Sequence, residues 1–561
     1  TIKPQTTATL TGSVTSGALI KLNGADNVII DGSNSGGTDK SLTIANTATT
    51  APTAIWVSST GTGAGATNNT IKNCIINVNS SLSASATGIS VSGSTINTGG
   101  ADNDNVTIQN NTINSPGIGV YANGTAAVST GGIDNLSVTG NSFASGNSTV
   151  AVYGVEVGNA LSASVASNTF NLTTTSISAP VAISLETGVS GSAVTSNQIQ
   201  AVTAANTGGY GGRGITVGTG SASSNITIAN NFVAGVNGSN WSAFGNSSSA
   251  GIWIGVIGNS STLTNTTGGV NLYHNTVNIT GSIGTASTTA LTAALYVGSG
   301  ASALDIRNNI FVNTQTGTST TQRNYAIYSA AANAAFTNIN YNDYFVSNSF
   351  NSGSAILGFI VSDRTTLAAL QTGFGGNVNS VNIAPVFTST TDLHLPGASN
   401  ATLDNLGTPI GTVTTDIDGQ TRSGSTPDMG ADEFTPPGCI TATGGTASGS
   451  TSFCGSGTPT ITATGYSTGI GTTYQWVSST NSGDYPNGGS AVSGQTNPAA
   501  LTTGVVSTTT YYWLRAQCAT NSSTDYSNMI TVTINPVPTA TASSNSPACT
   551  GSTLQLSVST S

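Results

Sequence analysis

The chain has 561 residues, only 5% of them Asp, Glu, Lys or Arg, and a formal net charge of −10. That balance provides no basic field to hold nucleic acid or an anionic bilayer. Apolar runs such as "AGIWIGVIG" at 250–258 fall far short of the ~20 residues that a membrane-spanning helix needs.

Glycine, at 70 residues, joins abundant Ser, Thr and Asn, so few side chains remain for proton chemistry. Regular alternation of Val and Ile with small polar residues points to strands rather than disorder. The chain opens on "TIKPQTT" and stops inside the strand-like "LQLSVSTS", which reads as a piece of a longer, processed protein.

From the N-terminus to residue 345 one phrase recurs, seen clearly in "NVTIQNNTINSPGIGVY" at 105–121. Its Asn residues are Asn73, Asn111, Asn141, Asn168, Asn197, Asn230, Asn275, Asn308 and Asn342, spaced by 27 to 45 residues. A period in that range marks repeat architecture. Each repeat carries two strand phrases and no amphipathic helix, which predicts an all-β solenoid, a right-handed parallel β-helix. About ten coils at ~4.8 Å each would extend roughly 50 Å. The repeated Asn should stack from coil to coil as a structural amide ladder.

Within the second strand of each repeat one position points outward: Trp56, Ser90, Gly119, Glu156, Ser184, Thr216, Trp253, Tyr296 and Tyr328. Trp253, Tyr296 and Tyr328 would form an aromatic strip suited to a glycan or partner, provided that no turn or neighbour covers it. Glu156 and Glu186 are the best catalytic pair the chain offers. Stacking "VEVG" on "LETG" gives the ~5 Å separation of a retaining glycosidase. Stacking Glu156 on Ser184 is an equally good alignment and moves Glu186 two residues along; two solvated surface carboxylates are the plainer reading of the pair. "GGYGGRG" at 208–214 reads as a flexible turn without the strand-to-helix context of a phosphate loop. His274 and His394 stand alone, without zinc-ligand spacing.

Residues 346–435 contain "DRTTLAALQTGFGGNVNSVNIAPVF", "TDLHLPGASNATLDNLGTPIG" and "TDIDGQTRSGSTPDMGADEF". These phrases resemble the C-terminal closing segment of secreted Bacteroidota right-handed β-helix, pectin-lyase-like surface proteins. The resemblance covers roughly residues 1–435 and implies a capped solenoid, an extracellular or cell-surface location and type IX secretion. Asp416, Asp418 and Asp428 offer oxygen ligands for a structural Ca²⁺, although Arg422 is placed to neutralise them within a capping network. No other cofactor is expected.

Residues 436–536, with Trp476 and "TYYWLR", resemble the immunoglobulin-like β-sandwich modules of large Bacteroidota surface proteins, and 537–561 restart that pattern. Four of the five cysteines crowd near the C-terminus, which suits disulfides in an exported protein. The first pairing expected is Cys454 with Cys518; Cys439 with Cys518 is the alternative the resemblance allows. Cys549 should pair outside the sequence, and Cys74 should be a core thiol.

These features predict an extracellular structural or adhesive protein, not an enzyme, which associates with itself or with other surface proteins. A glycan-binding module or a carbohydrate-active enzyme is the alternative.

Overall fold

The computed structural model describes residues 1–561 except 80–85, 116, 145–151, 176, 206–207, 240–247, 256–265, 284–290, 318–321, 348–355, 440, 519–521, 548 and 561. The chain divides into two compact units, one of Thr1–Pro396 with Thr402–Phe434 and one of Gly397–Ala401 with Thr435–Ser561.

Period-2 alternation buries one face of every strand in the first unit, and stacking successive coils pairs the backbone groups along the axis. The result is a parallel β-solenoid with sheets of 10, 12 and 13 strands. Each coil contributes three strands rather than the two expected, for example Thr112–Asn114, Ile118–Asn123 and Ser137–Thr139. The extra strand arises because "NVTIQNNTIN" turns sharply at its Asn doublet instead of running straight.

The core is built from columns of like residues. In the 10-stranded sheet Ile108, Val138, Val165, Val194 and Ile228 lie in register, all fully buried. In the 13-stranded sheet Phe143 stacks on Phe170 at 4.7 Å between ring centroids. Gly119 and Gly154 face these rings: a Cβ on either would stand 2.6 Å from Phe143 or Phe170. Gly119 therefore points into the core, and the outward place that the sequence assigned to Gly119 belongs to Tyr121.

The corner between the 10-stranded and 13-stranded sheets explains the repeated Asn. One residue adopts a left-handed conformation, for example Asn110 (φ 51°), Ser167 (φ 54°), Asn230 (φ 55°) and Asn308 (φ 60°). The next residue supplies the ladder amide: Asn111, Asn141, Asn168, Asn197, Asn231, Asn275, Asn309 and Asn342. Three expected members are thus corrected. Asn230 and Asn308 occupy the left-handed position, so their neighbours Asn231 and Asn309 make the ladder. Asn73 is likewise left-handed (φ 56°), and Cys74 holds the ladder place beside it, its backbone N–H donating to Asn111 Oδ1 at 2.9 Å. Cys74 is fully buried, and burial pushes its thiol up to about 12.

The closing segment divides into two parts. The helix Leu367–Phe374, capped by Thr366 and ended by Gly375 in the left-handed region, inserts Leu370 and Phe374 into the end of the solenoid core. The chain then runs back over the 13-stranded sheet and its corner with the 10-stranded sheet. Leu393 and Ala431 pack on Phe232 and Ala234, Leu395 and Met429 on Ile310 and Val312, and Ile410 and Val413 on Ala229 and Tyr273. This strap is tied by Arg422, whose guanidinium donates to Glu433 at 3.1 Å, Asn230 Oδ1 at 2.9 Å and the Gly430 carbonyl at 3.0 Å.

The second unit holds small, mainly antiparallel sheets of three, six and two strands. Thr472–Ser479 pairs with Thr510–Cys518, and Trp476, Leu514, Ile461 and Val532 form its core. The disulfide joins Cys439 and Cys518, with Cα atoms 5.4 Å apart, and corrects the expected Cys454–Cys518 pair. Cys454 lies beside Asn535, whereas Cys518 lies beyond the opposite end of the strand pairing that links them. At ~3.3 Å per residue that separation is roughly 35 Å. Cys454 and Cys549 are exposed free thiols.

Candidate functional site

The outward column of the 12-stranded sheet runs Lys21, Trp56, Ser90, Tyr121, Glu156, Ser184, Thr216, Trp253, Tyr296, Tyr328 and Phe359 in unbroken register. Its two halves differ in chemistry.

The later half is an aromatic ladder. Ring centroids are 4.1 Å apart for Trp253 and Tyr296, 5.6 Å for Tyr296 and Tyr328, and 4.4 Å for Tyr328 and Phe359. The Arg213 guanidinium sits 4.6 Å from the Trp253 ring. Trp253 is 1% exposed and Tyr296 4%, and Tyr328 is half-buried. The expected exposed strip is therefore closed. These rings spend their faces on one another and on Ala250, Ala293, Tyr325 and Ile356, as a second apolar core outside the sheet.

The earlier half opens into a cleft of about 850 Å³, lined among others by Thr15, Ser16, Lys21, Trp56, Asn97, Tyr121, Asn123, Glu156 and Glu186. Lys21 is exposed, and its ammonium lies 3.7 Å from the centroid of the Trp56 ring. Trp56 is fixed by its indole N–H, which donates to Ser92 Oγ at 2.9 Å. Asn97 accepts from Ser90 Oγ at 2.9 Å and donates to Thr87 Oγ1 at 2.8 Å. Asn123 donates to the Tyr121 hydroxyl at 3.1 Å.

Glu156 stands opposite Ser184, so Glu186 lies two residues further on the next coil, diagonal to Glu156. The directly stacked arrangement does not occur. A strand spacing of ~4.8 Å and a two-residue rise of ~6.6 Å put the Cα atoms about 8 Å apart. The Ser184 hydroxyl donates to Glu186 Oε1 at 3.3 Å and Thr216 donates to Ser184 at 3.0 Å, which turns the Glu186 carboxylate toward the column. Burial, reinforced by the negative charge of Glu186, pushes the Glu156 carboxyl up to about 8. Burial is also the main cause that raises the Tyr121 hydroxyl above its ordinary range, with Glu156 and Glu186 adding to it. Neither glutamate is the solvated surface carboxylate of the plainer reading. Lys21, Tyr121, Asn97 and Asn123 escaped sequence reasoning, because only the register places them around the two acids.

The expected calcium ligands do not converge. Asp416 accepts from the backbone N–H of Asp418, Gln420 and Glu433, and Asp428 from those of Asn405 and Phe434. Their oxygens are spent on turns of the strap. Asp418 instead accepts at 2.8 Å from His394, whose other ring nitrogen meets Asp392. His394, Asp418 and Asp432 bring their ligand atoms within 4.8 Å of one another, so His394 is not alone as its sequence context suggested. Burial alone would lower this imidazole, but the surrounding Asp392, Asp418 and Asp432 outweigh it and raise it. His274 is fully buried and bonded to Asn308 at 2.8 Å. "GGYGGRG" is not a flexible loop: Tyr210–Gly211 pairs with Val236–Ser239, and Arg213 begins the buried strand Arg213–Val217.

Residues 443–536, within the second unit, match a family described as a domain of unknown function (DUF8696). No curated protein and no solved structure matches the chain.

Proposed function

We propose that the protein is an extracellular, cell-surface structural and adhesive solenoid, and that its adhesive contact is a glycan held in the Lys21–Trp56–Tyr121–Glu156–Glu186 cleft. The observation that carries this reading is the cleft itself: side-chain amides, hydroxyls and two carboxyl groups line one face of a rigid sheet. Such groups match the hydroxyls of a sugar, and a solenoid held by buried amides presents them without reorganising. The resemblance to secreted Bacteroidota β-helix proteins supports surface presentation and type IX export, and the Cys439–Cys518 disulfide suits an oxidising compartment. The antiparallel unit with Trp476 at its centre is then an immunoglobulin-like spacer. Low charge removes the repulsion that would oppose lateral packing of copies.

Binding of the chain to a glycan array, followed by calorimetry with the best ligand, tests the reading. Glu186→Gln and Tyr121→Ala should each weaken binding by about tenfold or more; a chain that binds no glycan refutes it. A second reading, a carbohydrate-active enzyme, is favoured by one observation, the raised carboxyl of Glu156 beside a second carboxylate. Release of reducing ends that disappears in Glu156→Gln would establish it.

A further inference from the structure

We propose that the cleft takes an uncharged pyranose chain and excludes uronate-bearing ones. This rests on the reading of the cleft as a glycan site and names its ligand chemistry. Among the described residues that line it, two are acidic, Glu156 and Glu186, and one is basic, Lys21; no arginine is present. Lys21 is already engaged, its ammonium 3.7 Å from the Trp56 ring centroid. A carboxylate-bearing sugar needs a guanidinium fork or a free ammonium, and here it would meet two carboxyl groups instead, Glu186 buried and Glu156 half-buried.

The same arrangement suits hydroxyl groups. Glu186 is 5% exposed, with its carboxylate held by Ser184, and can accept from a sugar hydroxyl. Burial and the neighbouring Glu186 oppose the ionisation of Glu156, which favours its protonated form as a donor to one. The one ammonium of the cleft, on Lys21, is thus balanced against a carboxyl pair that resists holding two negative charges. An uncharged ligand leaves that balance intact, whereas a uronate adds an unpaired negative charge in a partly desolvated site.

The test is equilibrium binding of the full chain to matched pairs of glycans, galactan with polygalacturonan and xylan with glucuronoxylan. The neutral member of each pair should bind at least about tenfold more tightly, and Glu186→Gln should shrink that preference to about threefold or less. Because Glu186 is buried, the exposed Lys21→Glu gives an independent measure, and it should widen the preference. Equal or tighter binding of the uronate member overturns the inference, as does a preference that ignores both substitutions or tighter binding of chitosan than of any neutral chain. Failure to bind any glycan overturns instead the glycan reading on which the inference rests.

Discussion

Asn168 accepts two hydrogen bonds from Asn141 through its single Oδ1, from the backbone N–H at 2.9 Å and from the side-chain amide at 3.0 Å. It passes the same pair of donors to Asn197 at 3.0 Å each, and its amide also reaches the Val138 carbonyl at 2.9 Å. All three side chains are buried, so each link satisfies groups that have no water to turn to. Asn168→Ala strands donors on Asn141 and an acceptor on Val138, and should cost about 2–4 kcal/mol. Asn168→Asp should cost more, because it turns a carboxylate oxygen toward the Val138 carbonyl. Urea unfolding of the solenoid measures both.

Arg422 should prove necessary to hold the strap. It is 5% exposed and serves Glu433, Asn230 and Gly430 together. Arg422→Met removes one partner of a buried pair, a loss of about 3–5 kcal/mol. The loss should be local: limited proteolysis should cut within 405–434 sooner, while the far-ultraviolet signal of the coils stays unchanged. If cleavage there is not accelerated, the strap is held by its apolar contacts alone.

Two buried groups give opposite dependences on pH. Burial pushes fully buried Asp343 up to about 8. The folded chain keeps a proton that the unfolded chain loses near pH 4, so this contribution is complete below about pH 4 and is lost as pH rises through about 8. Asp343→Asn should therefore match the parent near pH 4 and melt higher than it near pH 9. His274 is lowered well below its usual range, first by burial and then by Arg422. Its contribution is present above about pH 6.5 and fades as pH falls below it, and His274→Gln should reduce that acid loss. Melting curves across pH separate the two effects.

In the second unit the disulfide closes a span of 79 residues. Cys439→Ser with Cys518→Ser should lower its stability by about 2–4 kcal/mol. Cys454→Ser should change it little, because that thiol is exposed and unpaired. Peptide mapping after alkylation without reductant should label Cys454 and Cys549 and leave Cys439 and Cys518 unlabelled. Label on Cys439 would refute the pairing.

Much of the solenoid was legible in the sequence, since alternation and the recurring Asn corner require parallel strands stacked coil on coil. The doublets at 230–231 and 308–309 show where that reading stopped. Two adjacent Asn are equivalent in sequence, and only the left-handed backbone at the first and the coil-to-coil amide bond of the second separate them. The site was less legible. Glu156 and Glu186 were visible as a pair, but two alignments fitted equally well until inter-coil hydrogen bonding chose the diagonal one. Trp253, Tyr296 and Tyr328 were correctly placed in one column, yet their exposure depended on contacts distant in sequence.

Sequence by itself therefore determined the period, the strand faces and the repeated corner, because these follow from local geometry, in which side chains alternate and a tight turn needs a particular residue. Tertiary structure alone decided which column becomes a second core and which opens as a cleft, which cysteine reaches Cys518, and how the strap lies. Those outcomes depend on register and on packing between residues tens or hundreds of positions apart, and no local pattern encodes either.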